Sequence, residues 1–192
     1  MKLYTGKGDF GETYDLSGKK YSKDSPVINL LGTLDELNSG LGLVKSMLSN
    51  DDAWQIMGKT ACNFILKIQK TLMKLMSHIS DNKNEKYFLN DSDVSIIEKE
   101  IDRLSENIPK QHELIIPGKN IIEAQIQITR AVARRAERLF FAVKNDKSPQ
   151  SQFTALSSQA GVYLNRLSDY LFVLSQQETL INVNFINQIT GI

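Results

Sequence analysis

Leu30-Leu31-Gly32-Thr33-Leu34-Asp35-Glu36-Leu37-Asn38-Ser39-Gly40-Leu41-Gly42-Leu43-Val44 (residues 30–44) decides the fold class. Leu30, Leu31, Leu34, Leu37, Leu41 and Val44 recur at steps of three and four, the spacing that lines one face of an α-helix. Pro26 closes the segment before this pattern. Asn50 and Asp51 interrupt it and can cap the next helix.

The same period recurs along the chain. A second helix is expected over about 53–79, with Ile56, Ala61, Phe64, Ile65, Ile68, Leu72 and Leu75 as its apolar stripe. Residues 81–90 are polar and read as a surface loop. Asp91 or Asp93 can cap a third helix carrying Val94, Ile97, Ile101 and Leu104, ended by Pro109. A connector over 110–119 holds Pro117-Gly118. A fourth helix spans about 120–144, with Asn120 as N-cap and Glu123 in the third position of a capping box. Lys147-Ser148-Pro149 makes a break. The fifth helix, about 150–177, carries Leu164, Leu167, Leu171 and Leu174. No strand pattern is strong enough to build a sheet, and no internal repeat is evident. The expectation is an all-α, five-helix bundle in a single domain over 1–192, divided into an N-terminal loop (1–26), the bundle (27–178) and a tail (179–192) whose isoleucines can pack on it.

The 192 residues suffice for a real core, and 41% hydrophobic with 23% charged residues is ordinary for a globular protein. A formal net charge of +1 argues against a general nucleic-acid binder, so any anion site must be local. Cys62 is the single cysteine, which excludes an internal disulfide and a four-cysteine zinc site. No stretch approaches the roughly 18 apolar residues of a membrane span. The N-terminus lacks the apolar core of a secretory signal, so a cytoplasmic location is expected.

Four segments can carry chemistry. Thr5-Gly6-Lys7-Gly8-Asp9-Phe10-Gly11-Glu12-Thr13 places three glycines in six residues, with Lys7, Lys19, Lys20 and Lys23 nearby. Such turns can aim consecutive N–H groups at an anion. The segment is neither a Walker A loop nor a dinucleotide fingerprint, and a flexible basic terminus is the alternative. Arg130-Ala131-Val132-Ala133-Arg134-Arg135-Ala136-Glu137-Arg138 puts Arg130, Arg134 and Arg138 on one helix face. Guanidinium groups suit bidentate contact with phosphate, but a solvated face with Glu137 paired to Arg134 or Arg138 would look the same. Asn165-Arg166-Leu167-Ser168-Asp169 offers an amide and a carboxylate off the core stripe, for a ligand, an arginine or a hydrated Mg²⁺. Asp35 and Glu36 sit early in a helix, where the macrodipole alone accounts for acidic residues, or Asp35 pairs with an arginine of another subunit. His78 and His112 share no ligand spacing, and no protein nucleophile with its base can be argued. Any enzyme chemistry here must rest on positioning and electrostatics.

Taken together and in chain order, Thr5 to Thr13, Gly32-Thr33-Leu34-Asp35-Glu36-Leu37, Arg130 to Arg138, and Tyr163-Leu164-Asn165-Arg166-Leu167-Ser168-Asp169-Tyr170-Leu171-Phe172 resemble the PduO-type ATP:cob(I)alamin adenosyltransferases. The resemblance implies a five-helix bundle with ferritin-like up-down packing, assembled as a homotrimer with active sites between subunits. It implies transfer of the 5′-deoxyadenosyl group of ATP to the reduced cobalt of cobalamin, releasing triphosphate, with Mg²⁺ on the nucleotide. Thr5, Gly6, Gly8, Asp9, Gly11, Thr13 and Lys23 would line ATP, and Arg134, Glu137 and Asn165 of a neighbour would complete that site. Asp35 would pair with Arg130 across the interface. Leu114 would face the corrinoid, where the family often has Phe, and Lys119 stands where the family has a second glycine. A reductase and an adenosylcobalamin-dependent client enzyme are the implied partners. The competing reading is a non-catalytic nucleotide- or corrinoid-binding trimeric helical module, which would keep Arg134 and Asn165 but not turn over.

Overall fold

The computed structural model describes the chain apart from residues 1–3, 5, 7, 52–53, 55–58, 82–83, 107, 110–113, 147–152, 154–155 and 191–192, and apart from the side chains of 185–190. The expectations placed on Thr5, Lys7, Ile56, His112 and the break at 147–149 therefore lie outside the described residues.

Five helices carry the described fold: α1 Pro26–Asn50, α2 Lys59–Ser80, α3 Asp91–Ser105, α4 Ile121–Lys144 and α5 Ser158–Thr190. A single 3₁₀ turn, Glu85–Tyr87, separates α2 from α3. The cross-helix contacts give the direction of each element. Asn38 of α1 meets Gln69 of α2, and Ser49 meets Cys62, so the two run antiparallel. In α4 and α5, Gln127 donates to Ser175 while Asn165 donates to Glu137, again antiparallel. Arg166 of α5 reaches Glu98 of α3 and Gln177 reaches the Leu104 carbonyl, so those two are parallel. With α1 antiparallel to α4 through Glu36–Arg135 and the Gly40–Thr129 contact, successive helices alternate up and down.

The core is made of the residues that fall on the helical period. Leu30, Leu34, Leu37, Leu41 and Val44 of α1, and Leu164, Leu167, Leu171 and Leu174 of α5, are fully buried. Burying one leucine side chain stabilises by roughly 1.5–3 kcal/mol, more than most single polar contacts contribute. The α4–α5 contact is especially close. A Cβ on Gly161 would lie 2.7 Å from the tip of the Phe141 ring and 3.2 Å from Phe140, so a larger residue here would have to displace those rings.

Local signals account for the helix starts. Asp51 Oδ1 accepts from the N–H of Trp54 at 3.1 Å just after α1, while the described part of α2 begins at Lys59. Asn120 caps α4 by accepting from the Glu123 N–H at 2.8 Å. For α3 the sequence points to Asp91 or Asp93 as the cap, but Asn90 takes that role. Its side chain accepts from the N–H of Asp93, and the Asp93 carboxylate accepts from the N–H of Asn90 in return.

Two further expectations are corrected. The stretch expected to be a tail from 179 continues α5 to Thr190, drawn in by burial of Ile181 against the bundle. The N-terminal segment, expected to hold no strand, forms a small antiparallel hairpin of β1 Glu12–Tyr14 and β2 Lys20–Ser22, with Thr13 opposite Tyr21. Its turn is built by Asp15. Asp15 Oδ1 accepts from the N–H groups of Ser17 and Lys19, both at 2.9 Å, and from the Ser17 hydroxyl at 2.7 Å.

Candidate functional site

The hairpin presents the glycine-rich segment at the N-terminal end of α1. Gly6 and Gly11 have φ of +71° and +81°, left-handed backbone that turns the chain tightly. The Asp9 N–H donates to the Gly6 carbonyl at 3.3 Å, and the Lys23 N–H donates to the Gly11 carbonyl at 2.8 Å. Lys23 lies against Gly8, its Nζ 3.3 Å from where a Cβ would sit. Gly6, Gly8, Asp9, Gly11 and Lys23 are thus gathered in one turn, with Thr13 on the adjoining strand, and the ammonium group lies beside backbone that carries no side chain.

The arginine face lies on α4. Arg134 and Arg138 are exposed and form no hydrogen bond or ion pair with a described residue. Arg130 donates from Nε to Gln127 Oε1 at 2.8 Å and stands 6.0 Å from the centre of the Phe172 ring. Arg135, on a different face, pairs with Glu36 of α1. Glu137 does not neutralise Arg134 or Arg138, the pairing a solvated face would have made. Its Oε1 accepts instead from Asn165 Nδ2 at 3.1 Å.

That contact joins two residues singled out from separate stretches of sequence. Asn165 is fixed from both sides, because Arg166 Nη1 donates to Asn165 Oδ1 at 2.9 Å while Arg166 Nε donates to Glu98 Oε1 at 2.8 Å. Asp169 lies 3.7 Å from Arg166, a pair within α5. The result is two unneutralised guanidinium groups beside an oriented amide and a carboxylate, an arrangement fitted to a polyanion carrying hydrogen-bonding groups.

Other expected residues are not joined within one chain. Asp35 is exposed and has no hydrogen bond or ion pair with a described residue, so it does not meet Arg130 of its own chain. Neither do the described residues of the N-terminal turn bond to Arg134, Glu137 or Asn165 of their own chain. Leu114 is 99% exposed, and Ile116 on the same connector and Ile121 at the start of α4 are 84% and 77% exposed. Sequence reasoning misses the orienting roles of Gln127 and Arg166. Both have a local signal, Gln127 three residues before Arg130 on one face and Arg166 next to the asparagine it holds.

A five-helix bundle that exposes an arginine face on α4 and a glycine-rich turn before α1 is the architecture to be matched. The family model for cobalamin adenosyltransferase matches residues 3–178. The corrinoid adenosyltransferase of Bacillus subtilis is 35% identical over 179 residues, covering 92% of this chain and 86% of that protein. The human corrinoid adenosyltransferase MMAB is 30% identical, covering 91% of this chain and 68% of that protein. A variant of the PduO-type ATP:corrinoid adenosyltransferase from Lactobacillus reuteri, solved in complex with cobalamin and ATP, superposes with a TM-score of 0.81 at 25% identity, over 94% of this chain and 95% of that one. The chain belongs to the cobalamin adenosyltransferase family.

Proposed function

We propose that the protein transfers the 5′-deoxyadenosyl group of ATP to the reduced cobalt of cobalamin. The observation that carries this reading is the pair of unneutralised arginines, Arg134 and Arg138, beside the Asn165–Glu137 contact, in a chain of this family. The reduced cobalt supplies the electron pair that forms the new bond to C5′. The C5′–O bond breaks, and the triphosphate leaves with its electrons. This needs no protein nucleophile. It needs the leaving triphosphate held and neutralised, which Arg134 and Lys23 supply, and the nucleoside oriented, which Asn165 and Glu137 supply. No group of three His, Cys, Asp or Glu able to hold a metal occurs among the described residues. Mg²⁺ would enter on the triphosphate, held mainly by phosphate oxygens.

The assembly proposed is a homotrimer. Asp35 and the described residues of the N-terminal turn do not bond to the residues assigned to them within one chain, which fits a site shared between subunits. The turn with Thr5, Gly6, Gly8, Asp9, Gly11, Thr13 and Lys23 would come from one subunit. Arg134, Glu137 and Asn165 would come from the next, with Asp35 on Arg130 across the boundary. Leu114 and its apolar neighbours would face the corrinoid. A reductase that delivers reduced cobalt, an adenosylcobalamin-dependent client and a cytoplasmic location complete the reading. No helix among the described residues is long and apolar enough to cross a membrane.

Incubation with Mg-ATP and reduced cobalamin, with the spectrum of the cobalt–carbon bond recorded over time, tests the reading. Adenosylcobalamin should accumulate. ATP binding without that product would point to a non-catalytic binding module, and no ATP binding would refute both.

A further inference from the structure

Two carboxylates are sealed from solvent where the connector 114–119 enters α4. Glu123 and Glu178 are both fully buried, and neither belongs to the proposed nucleotide site. A buried charge is costly unless hydrogen bonds meet it, so its partners reveal what the fold holds in place. Glu178 accepts from Asn120 Nδ2 through both oxygens, at 3.0 and 2.9 Å, and from Asn182 one turn further along α5. Asn120 is the N-cap of α4, and its other atom, Oδ1, is the acceptor for the Glu123 N–H. Glu123 does not close the expected capping box on the Asn120 N–H. Its Oε2 reaches further upstream, to the N–H groups of Gly118 at 2.7 Å and Lys119 at 3.2 Å.

A continuous chain of contacts therefore runs from α5 through Glu178, Asn120 and Glu123 to the backbone of the connector. It also explains how Lys119 is tolerated. Gly118, with φ of +109°, supplies the left-handed residue of this turn, and no described residue other than glycine has positive φ. Burial pushes the Glu178 carboxyl above its ordinary range, and the Asn120 amide opposes that shift.

We infer that Glu178 is a positioning residue for the corrinoid half of the site: acting through Asn120 and Glu123, it fixes the 114–119 connector, and with it Leu114, against α5. The inference rests on the proposed placement of Leu114 at the corrinoid. A corrinoid is large and must be gripped by a surface of defined shape. A side chain as exposed as Leu114 has little core contact to define it, so its position comes from the backbone that carries it.

The test is steady-state kinetics with both substrates, together with calorimetric ATP binding. Glu178→Ala should raise the KM for reduced cobalamin about tenfold, the loss expected for a charge-assisted hydrogen bond, and leave the KM for ATP within about twofold. Glu178→Gln keeps an acceptor for Asn120 and should recover most of that loss. An unchanged corrinoid KM, or a parallel loss of ATP affinity, overturns the inference. If Glu178→Ala does not fold, Asn120→Ser keeps a capping oxygen but cannot reach Glu178, and the same split between substrates is required of it. Leu114→Ala separates the two layers. If it leaves the corrinoid KM unchanged, the placement of the connector falls and this inference with it. If it raises that KM while the Glu178 variants do not, the positioning role alone falls.

Discussion

Asn165 on α5 donates to Glu137 on α4 at 3.1 Å, and Arg134 and Arg138 have no acid partner among the described residues. The carboxylate nearest in sequence to both arginines is thereby turned toward an amide, which leaves their charge available to a ligand. Glu137→Ala should free Asn165 and raise the KM for ATP by about tenfold, while Glu137→Gln, which still accepts from Asn165, should have a smaller effect. Equal values for wild type and Glu137→Ala in ATP titrations would remove this pair from the site.

Arg134→Ala removes a guanidinium with no competing partner among the described residues. Charge-assisted hydrogen bonds of roughly 1.5–3 kcal/mol correspond to a fall of about tenfold to a hundredfold in kcat/KM for ATP. Arg134→Lys should recover only part of it, because an ammonium cannot make the bidentate contact. Full activity in the lysine variant would show that charge alone matters there.

Asp35 and Arg130 provide a test of the shared site. Asp35→Arg should lower both trimer content and activity, and the exchange Asp35→Arg with Arg130→Asp should restore both. Sedimentation and rate measurements on the three proteins decide it. Failure of the exchange to restore either quantity would argue against the pairing.

Leu114→Phe should raise turnover with cobalamin, since a larger and stiffer ring on this exposed connector excludes more water from the cobalt face. The readout is kcat at saturating ATP. Unchanged or lower turnover would deny Leu114 that role.

His78 predicts an acid-sensitive stability. It is fully buried, stacked on Phe88 at 4.3 Å between ring centres, and neither ring nitrogen has a hydrogen-bond partner among the described residues. Burial first, then Lys144 and Lys74, lower its pKa below 6.5. The folded state therefore binds fewer protons than the unfolded state below that value. The stability contribution is complete above pH 6.5 and is lost as the pH falls toward the folded pKa, with a slope of at most about 1.4 kcal/mol per pH unit. Denaturant unfolding between pH 7.5 and 5 should show this slope in the wild type and not in His78→Phe. Parallel profiles for the two proteins would locate the acid sensitivity elsewhere.

The helices are legible in the sequence because burial imposes the period of three and four, and Leu30 to Val44 or Leu164 to Leu174 display it without interruption. The arginine face and Asn165 are legible as candidates, but their contact is not, since 28 residues of sequence separate Glu137 from Asn165. The hairpin is hidden because strands of three residues are too short to show alternation, although Asp15-Leu16-Ser17-Gly18 carries the turn chemistry. The end of α5 is hidden because Asn182, Asn184 and Asn187 are poor helix formers, and burial of Ile181 outweighs them. Glu178 does leave a trace. It stands four residues after Leu174, so it continues the buried stripe with a carboxylate, and a charge in such a position has to be matched by something across the core.

The length of α5 has a consequence for how the two substrates meet. Asn165, proposed for the nucleotide, and Glu178, proposed to set the corrinoid connector, stand thirteen residues apart on one unbroken helix, about 20 Å along its axis. The helix is a ruler. A single residue inserted between them would leave each half locally intact and swing one away from the other by about 100° around the axis, uncoupling two sites that had lost no contact of their own.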